Sequence, residues 1–73
     1  MLTDKQCNII SALAFSNMNI AEAARKVGYH STNVRYHIGV IRKNTGLDPE
    51  DFFDLHDLYK MAGGENDENE SAT

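Results

Sequence analysis

The sequence predicts an all-α fold, a small domain of four short helices, and three observations predict it. Apolar residues recur every three or four positions in four separate stretches. Each stretch is bounded by residues that start or stop helices: Thr3, Asn19, Ser31 or Thr32, and Asp48 at the starts, Asn17, Gly28, Gly46 and Gly63 at the ends. Alternation of apolar and polar residues never persists for four positions with β-branched content, so no strand pattern competes.

The first helix is predicted from Asp4 to Phe15 or Ser16. Thr3 and Gln6 have the spacing of a capping box, and Asp4 places an anion in the first turn, where the helix dipole favours one. Cys7, Ile9, Ile10, Leu13 and Ala14 supply its apolar side. Cys7, at helical spacing from Ile10, reads as a small half-buried hydrophobe. Phe15 either plugs an end of the bundle or stays exposed, and the spacing does not choose between these. Ser16 to Asn19 form a short connection, in which Asn17 takes a left-handed cap and Met18 staples onto Ala23.

The second helix is predicted over Ile20 to Val27, with Asn19 as N-cap and Glu22 as the reciprocal partner of a capping box. Ala23, Ala24 and Val27 face inward, and the two alanines allow a neighbouring helix to approach closely. Gly28 falls where the chain needs a left-handed residue to leave the helix, with Tyr29 as an apolar plug behind it. A third helix then begins near Ser31 or Thr32 and carries Val34, Ile38 and Ile41 on one face. Gly46 ends it, and Leu47 folds back on it. The fourth is predicted to open with Asp48 as N-cap, Pro49 at the first helical position, and Glu50 and Asp51 in the first turn. Phe52, Leu55, Tyr59 and Ala62 lie along one stripe of it, with Phe53, His56 and Leu58 beside them. That stripe is wider than one packing contact needs: either it closes a three-helix core from below, or part of it is a dimer surface, and the two are compatible.

Residues 1–62 are therefore expected to form the folded domain, and residues 63–73, GGENDENESAT, a disordered acidic tail with too little apolar content to join a core. A folded part this short buries a modest share of its surface, which makes a homodimer the natural expectation. The chain has a single cysteine, no leading basic and apolar signal segment, and no apolar run approaching the ~20 residues of a membrane span. A cytoplasmic protein with a reduced thiol is expected.

The net charge of −4 is unevenly placed. Four of the acids, Glu65, Asp67, Glu68 and Glu70, are in the tail, which leaves residues 1–62 with seven basic and seven acidic residues and no net charge. Within Asn19 to Thr45, Arg25, Lys26, Arg35, Arg42 and Lys43 oppose Glu22 alone, five cations against one anion, a formal +4. Asp48 to Lys60 carries five acids and one lysine. The molecule is electrically two-sided, with its positive side over the second and third helices.

Two short helices joined by a tight turn, the second and third here, make a helix-turn-helix, and a basic face over such a pair is the footprint of a DNA reader. With Val34, Ile38 and Ile41 inward at 100° per residue, Thr32, Tyr36 and Lys43 point outward, flanked by Asn33 and Val40 on one side and Arg35 and Gly39 on the other. Asparagine can pair bidentately with adenine, arginine can fork onto guanine, and serine or threonine can meet any base edge. Ser31, Thr32, Asn33, Arg35 and Tyr36 are the candidate base-reading residues; Arg25, Lys26, Arg42 and Lys43 are the candidate phosphate contacts. His37 sits at the edge of the inward stripe and reads as a histidine bordering the core. His30, His37 and His56 have no metal-ligand spacing, and no nucleophile triad or carboxylate pair gathers, so neither an enzyme nor a cofactor is expected.

The stretch NIAEAARKVGYHSTNVRYHIGVIRKNTGLDPEDFFDLHDL resembles the C-terminal helix-turn-helix of PucR-type bacterial regulators and, more broadly, the Fis-like DNA-binding class. The resemblance rests on Asn19, Glu22, Ala23, Ala24 and Arg25 in the first helix of the pair. It continues through His30, Asn33, Val34, Arg35, Tyr36, Ile38 and Ile41, and through Thr45, Gly46, Leu47 and Asp48. It implies double-stranded DNA as the partner of a dimeric transcriptional regulator, with Ser31, Asn33, Arg35 and Tyr36 at recognition positions. His37 stands where the family often has arginine. No counterpart of the family's large preceding sensory region is in the sequence, so no small-molecule ligand is implied. The rival expectation is a protein-interaction module, in which the acidic fourth helix and its wide apolar stripe dock a partner.

Overall fold

A computed structural model of the chain describes residues 2–63. It contains four helices: α1 (Asp4–Phe15), α2 (Ile20–Val27), α3 (Ser31–Thr45) and α4 (Phe52–Met61). Among the described residues there is no strand. The predicted acidic tail, Gly63 apart, lies outside the described residues. None of the described helices is long and apolar enough to cross a membrane.

The capping box of α1 forms as its sequence dictates. The Gln6 amide donates to Thr3 Oγ1 and the Thr3 amide donates to Gln6 Oε1, each over 3.1 Å. Gln6 is thereby satisfied although it is buried. Behind it Ile9, Ile10, Ala12 and Leu13 are buried, while Cys7 is half-buried. The connection to α2 turns through two consecutive left-handed residues, Asn17 (φ 54°) and Met18 (φ 65°), and the Met18 amide donates to the Leu13 carbonyl over 2.8 Å. Asparagine tolerates that conformation; methionine does not favour it. Met18 is held there by packing against the core cluster that contains Ala23.

The capping box predicted for α2 is half formed. Asn19 Oδ1 accepts from the Glu22 amide, as expected. The Asn19 amide, however, donates to the Ser16 carbonyl over 3.0 Å, so the tight turn has already satisfied the group that Glu22 was to cap. The Glu22 carboxylate instead accepts from Arg25 one turn on. At the other end Gly28 adopts φ 77° and its amide bonds the Ala24 carbonyl, a left-handed cap that a side chain would strain.

The core lies where α1, α2 and α3 meet and where α4 closes on α1. Ile9, Ile10, Leu13, Val34, Ile41 and Leu58 are fully buried, and Ala23 and Ala24 bring the α2 backbone close to its neighbours. Each such Ile, Leu or Val adds roughly 1.5–3 kcal/mol relative to exposure.

α4 begins three residues later than its cap signature suggests. Asp48 does not cap a helix: its carboxylate accepts from the Glu50 amide and its carbonyl accepts from the Asp51 amide, both over 2.9 Å, closing a turn over 48–51. Asp51 is the N-cap, accepting from the Asp54 amide over 3.0 Å, while Asp54 reaches back to accept from the Asp48 amide. Proline suits the second position of such a turn as well as it suits the first position of a helix, so the same residues fit both arrangements. Pro49 is fully buried and seals the turn. The inward stripe of α4 is consequently Leu55 and Leu58, with Tyr59 and Ala62 half-buried beside them; Phe52, predicted to share the stripe, is 65% exposed.

Candidate nucleic-acid interface

Three residues, Gly28, Tyr29 and His30, join α2 to α3. Tyr29 packs against the core as a plug and its amide donates to the Ala24 carbonyl over 3.0 Å. The chain therefore enters α3 in a fixed direction. His30 is the N-cap residue of α3 but makes no side-chain cap hydrogen bond. The first-turn amides of α3 thus lack a side-chain acceptor, which suits a phosphate oxygen or a base edge.

Val34, Ile38 and Ile41 are buried, which fixes the rotation of α3. The opposite side presents Thr32, Asn33, Arg35, Tyr36, Arg42 and Lys43 to solvent, while Ser31, Gly39 and Val40 are half-buried. Of the candidate base readers, Thr32, Asn33, Arg35 and Tyr36 thus form one exposed row, and Ser31 stands at its margin. Tyr36 is 66% exposed and meets the His37 ring edge-on, with centroids 5.3 Å apart. His37 is half-buried and its Nδ1 is buried without a hydrogen-bond partner. It borders the core, as its place on the wheel requires.

The candidate phosphate contacts divide in two. Lys26 and Lys43 are exposed with no ion pair among the described residues. Arg25 pairs with Glu22, and Arg42 Nη1 lies 3.8 Å from Asp48 Oδ1. Both pairs are largely exposed, so each contributes little to stability and yields readily to a competing phosphate. Arg35 and Arg42, two turns apart on one flank of α3, share a hollow with Glu50. The turn before α4 thereby places Asp48 and Glu50 as an acidic rim along one side of the basic face.

One cation escaped the wheel. Lys5, from the first turn of α1, lays its Nζ 4.8 Å from the centre of the Tyr29 ring and so brings a positive charge to the turn that precedes α3. The two residues are 24 positions apart, and no local spacing could have joined them.

No group of three or more His, Cys, Asp or Glu side chains among the described residues could hold a metal ion. A short helix, a glycine-capped turn and a second helix with a polar, cationic outer row define a helix-turn-helix domain of the DNA-binding class. The family model for the PucR C-terminal helix-turn-helix domain matches residues 8–61, from the first half of α1 to the last residue of α4. The chain belongs to that family. No curated protein and no solved structure matches it.

Proposed function

We propose that this protein is a sequence-reading, non-enzymatic DNA-binding regulator of transcription that works as a homodimer in the bacterial cytoplasm. The exposed row Thr32, Asn33, Arg35 and Tyr36 on the outer side of α3 carries the reading, because the buried Val34, Ile38 and Ile41 turn these side chains to solvent. In this reading Ser31, Thr32, Asn33, Arg35 and Tyr36 meet base edges in the major groove. Arg25, Lys26, Arg42 and Lys43 hold the flanking phosphates. Membership in a helix-turn-helix family and the +4 charge of Asn19 to Thr45 support it.

Titration of the full chain against mixed-sequence duplex DNA, at low and at physiological salt, tests the proposal. Binding is expected at low salt and is expected to weaken as salt rises, because cations that replace counterions on phosphates make affinity salt-dependent. Absence of binding even at low salt refutes it.

A second reading, a protein-interaction module on the same scaffold, draws on the exposed Phe52 and Phe53 of α4. An NMR shift map with added DNA separates the two. Perturbation of Arg35 and Tyr36 supports DNA recognition; a partner protein that perturbs the exposed Phe52 and Phe53 instead supports the module.

A further inference from the structure

The chain leaves α3 through the left-handed Gly46 (φ 77°) and closes a second turn over residues 48–51. Asp48 is tied into that turn at three points. Its Oδ1 accepts from the Glu50 amide over 2.9 Å, its carbonyl accepts from the Asp51 amide over 2.9 Å, and its own amide donates to Asp54 Oδ2 over 3.0 Å. Pro49 beside it is fully buried. The Asp48 carboxylate is therefore a fixed anion, whereas the Arg42 guanidinium ends a long side chain that is half exposed, at 50%. Arg42 Nη1 lies 3.8 Å from Asp48 Oδ1, and Arg35 and Arg42 share with Ile38 and Glu50 an open hollow of about 160 Å³. Two acids from one rigid turn thus face two arginines on one flank of α3.

We propose that this turn is an internal competitor for DNA: Asp48 holds Arg42 away from the phosphate groups of a docking duplex, and Glu50 opposes them from across the hollow. This autoinhibitory contact deepens the DNA-binding reading above and rests on it. The geometry of the pair favours competition over support. An aspartate that orients an arginine for DNA does so through hydrogen bonds, two parallel ones at best, over about 2.7–2.9 Å. A single approach of 3.8 Å is too long for a hydrogen bond. Asp48 therefore attracts Arg42 by charge without fixing the plane of its guanidinium. A phosphate offers the same guanidinium a bidentate partner, and the flexible arginine moves to it while the turn stays.

The two acids act differently. Glu50 is exposed and shares the hollow with Arg35 without an ion pair among the described residues, so it opposes phosphate by its charge alone. Asp48 also withholds a cation. When Arg42 turns to a phosphate, Asp48 is left beside the duplex without its partner and recruits a cation from solution. That uptake offsets part of the counterion release that drives binding, so the pair lowers both the affinity and its dependence on salt. An exposed pair is weak, and DNA wins Arg42 from Asp48 at a modest cost in affinity.

Fluorescence-anisotropy titration of a labelled mixed-sequence duplex with the full chain, over a series of salt concentrations, tests the contact. Asp48→Asn keeps an oxygen for the Glu50 amide and removes the charge. It is expected to raise affinity about two- to fivefold at low salt and to steepen the salt dependence. Glu50→Gln, at an exposed position, is expected to raise affinity by a smaller factor. In an Arg42→Ala background, the gain from Asp48→Asn is expected to shrink to that of Glu50→Gln, since only the charge is then removed. Far-UV circular dichroism confirms that each variant keeps its helices. An Asp48→Asn chain that binds no better than wild type, or a gain that persists in full without Arg42, overturns the inference and leaves the DNA-binding reading standing. Absence of wild-type binding at low salt refutes that reading, and the inference with it.

Discussion

Arg35 and Arg42 occupy the same flank of α3, yet they do not have the same freedom. Arg42 already has Asp48 at 3.8 Å, whereas Arg35 shares only the hollow with Glu50. The proposed base readers and phosphate holders should separate in a binding assay with a panel of duplexes. Arg35→Ala and Asn33→Ala are each expected to cost about 1–3 kcal/mol on a preferred site and to relax the preference there. Lys43→Ala is expected to weaken every duplex alike and to reduce the salt slope by about one unit. The rotation of α3 was legible because Val34, Ile38 and Ile41 repeat at helical spacing, and this spacing placed Thr32, Asn33, Arg35, Tyr36 and Lys43 outward correctly. The pairing of Arg42 with Asp48 was not legible. It depends on how the chain leaves the left-handed Gly46, and wheel geometry ends with the helix.

Among the elements, helix starts were readable where the cap is followed three residues on by Gln or Glu. Thr3 has Gln6 and Asn19 has Glu22 at that spacing, and α1 and α2 begin where they predict. The segment before α4 offers Asp48 and Asp51, and the buried Pro49 serves the turn rather than the helix. Removal of the cap that operates, Asp51→Ala, should lower stability by about 1 kcal/mol in chemical denaturation. α3 carries a weakness of another kind. A Cβ added at Gly39 meets nothing within 4 Å, so glycine has no packing reason to stand inside this helix. Gly39→Ala should stabilise the domain by about 0.5–1 kcal/mol, raising the melting temperature by roughly 4–8 °C per kcal/mol. Loss of DNA affinity in the same variant would locate a close approach of the nucleic acid backbone at this position.

The molecule as a whole separates its two surfaces: cations over α2, the turn and α3, aromatic rings across α1 and α4. That polarity was visible in the sequence as a charge imbalance between neighbouring segments. The edge-on meeting of Phe15 with Tyr59 was not legible, because it depends on the crossing of α1 and α4. Truncation to remove residues 64–73 takes away four carboxylates and should raise DNA affinity at low salt, read by titration beside the full chain. Asp48 and Glu50 belong to the fold itself, and the turn holds them along the edge of the basic face, where in the proposed reading they oppose the phosphates. Their effect concerns time as well as affinity. A chain that meets a wrong sequence is held by phosphates alone, and a rim of fixed anions narrows the track along which phosphates attract it. In the proposed reading, encounters with the wrong sequence end sooner, and the search for a site proceeds in many brief visits.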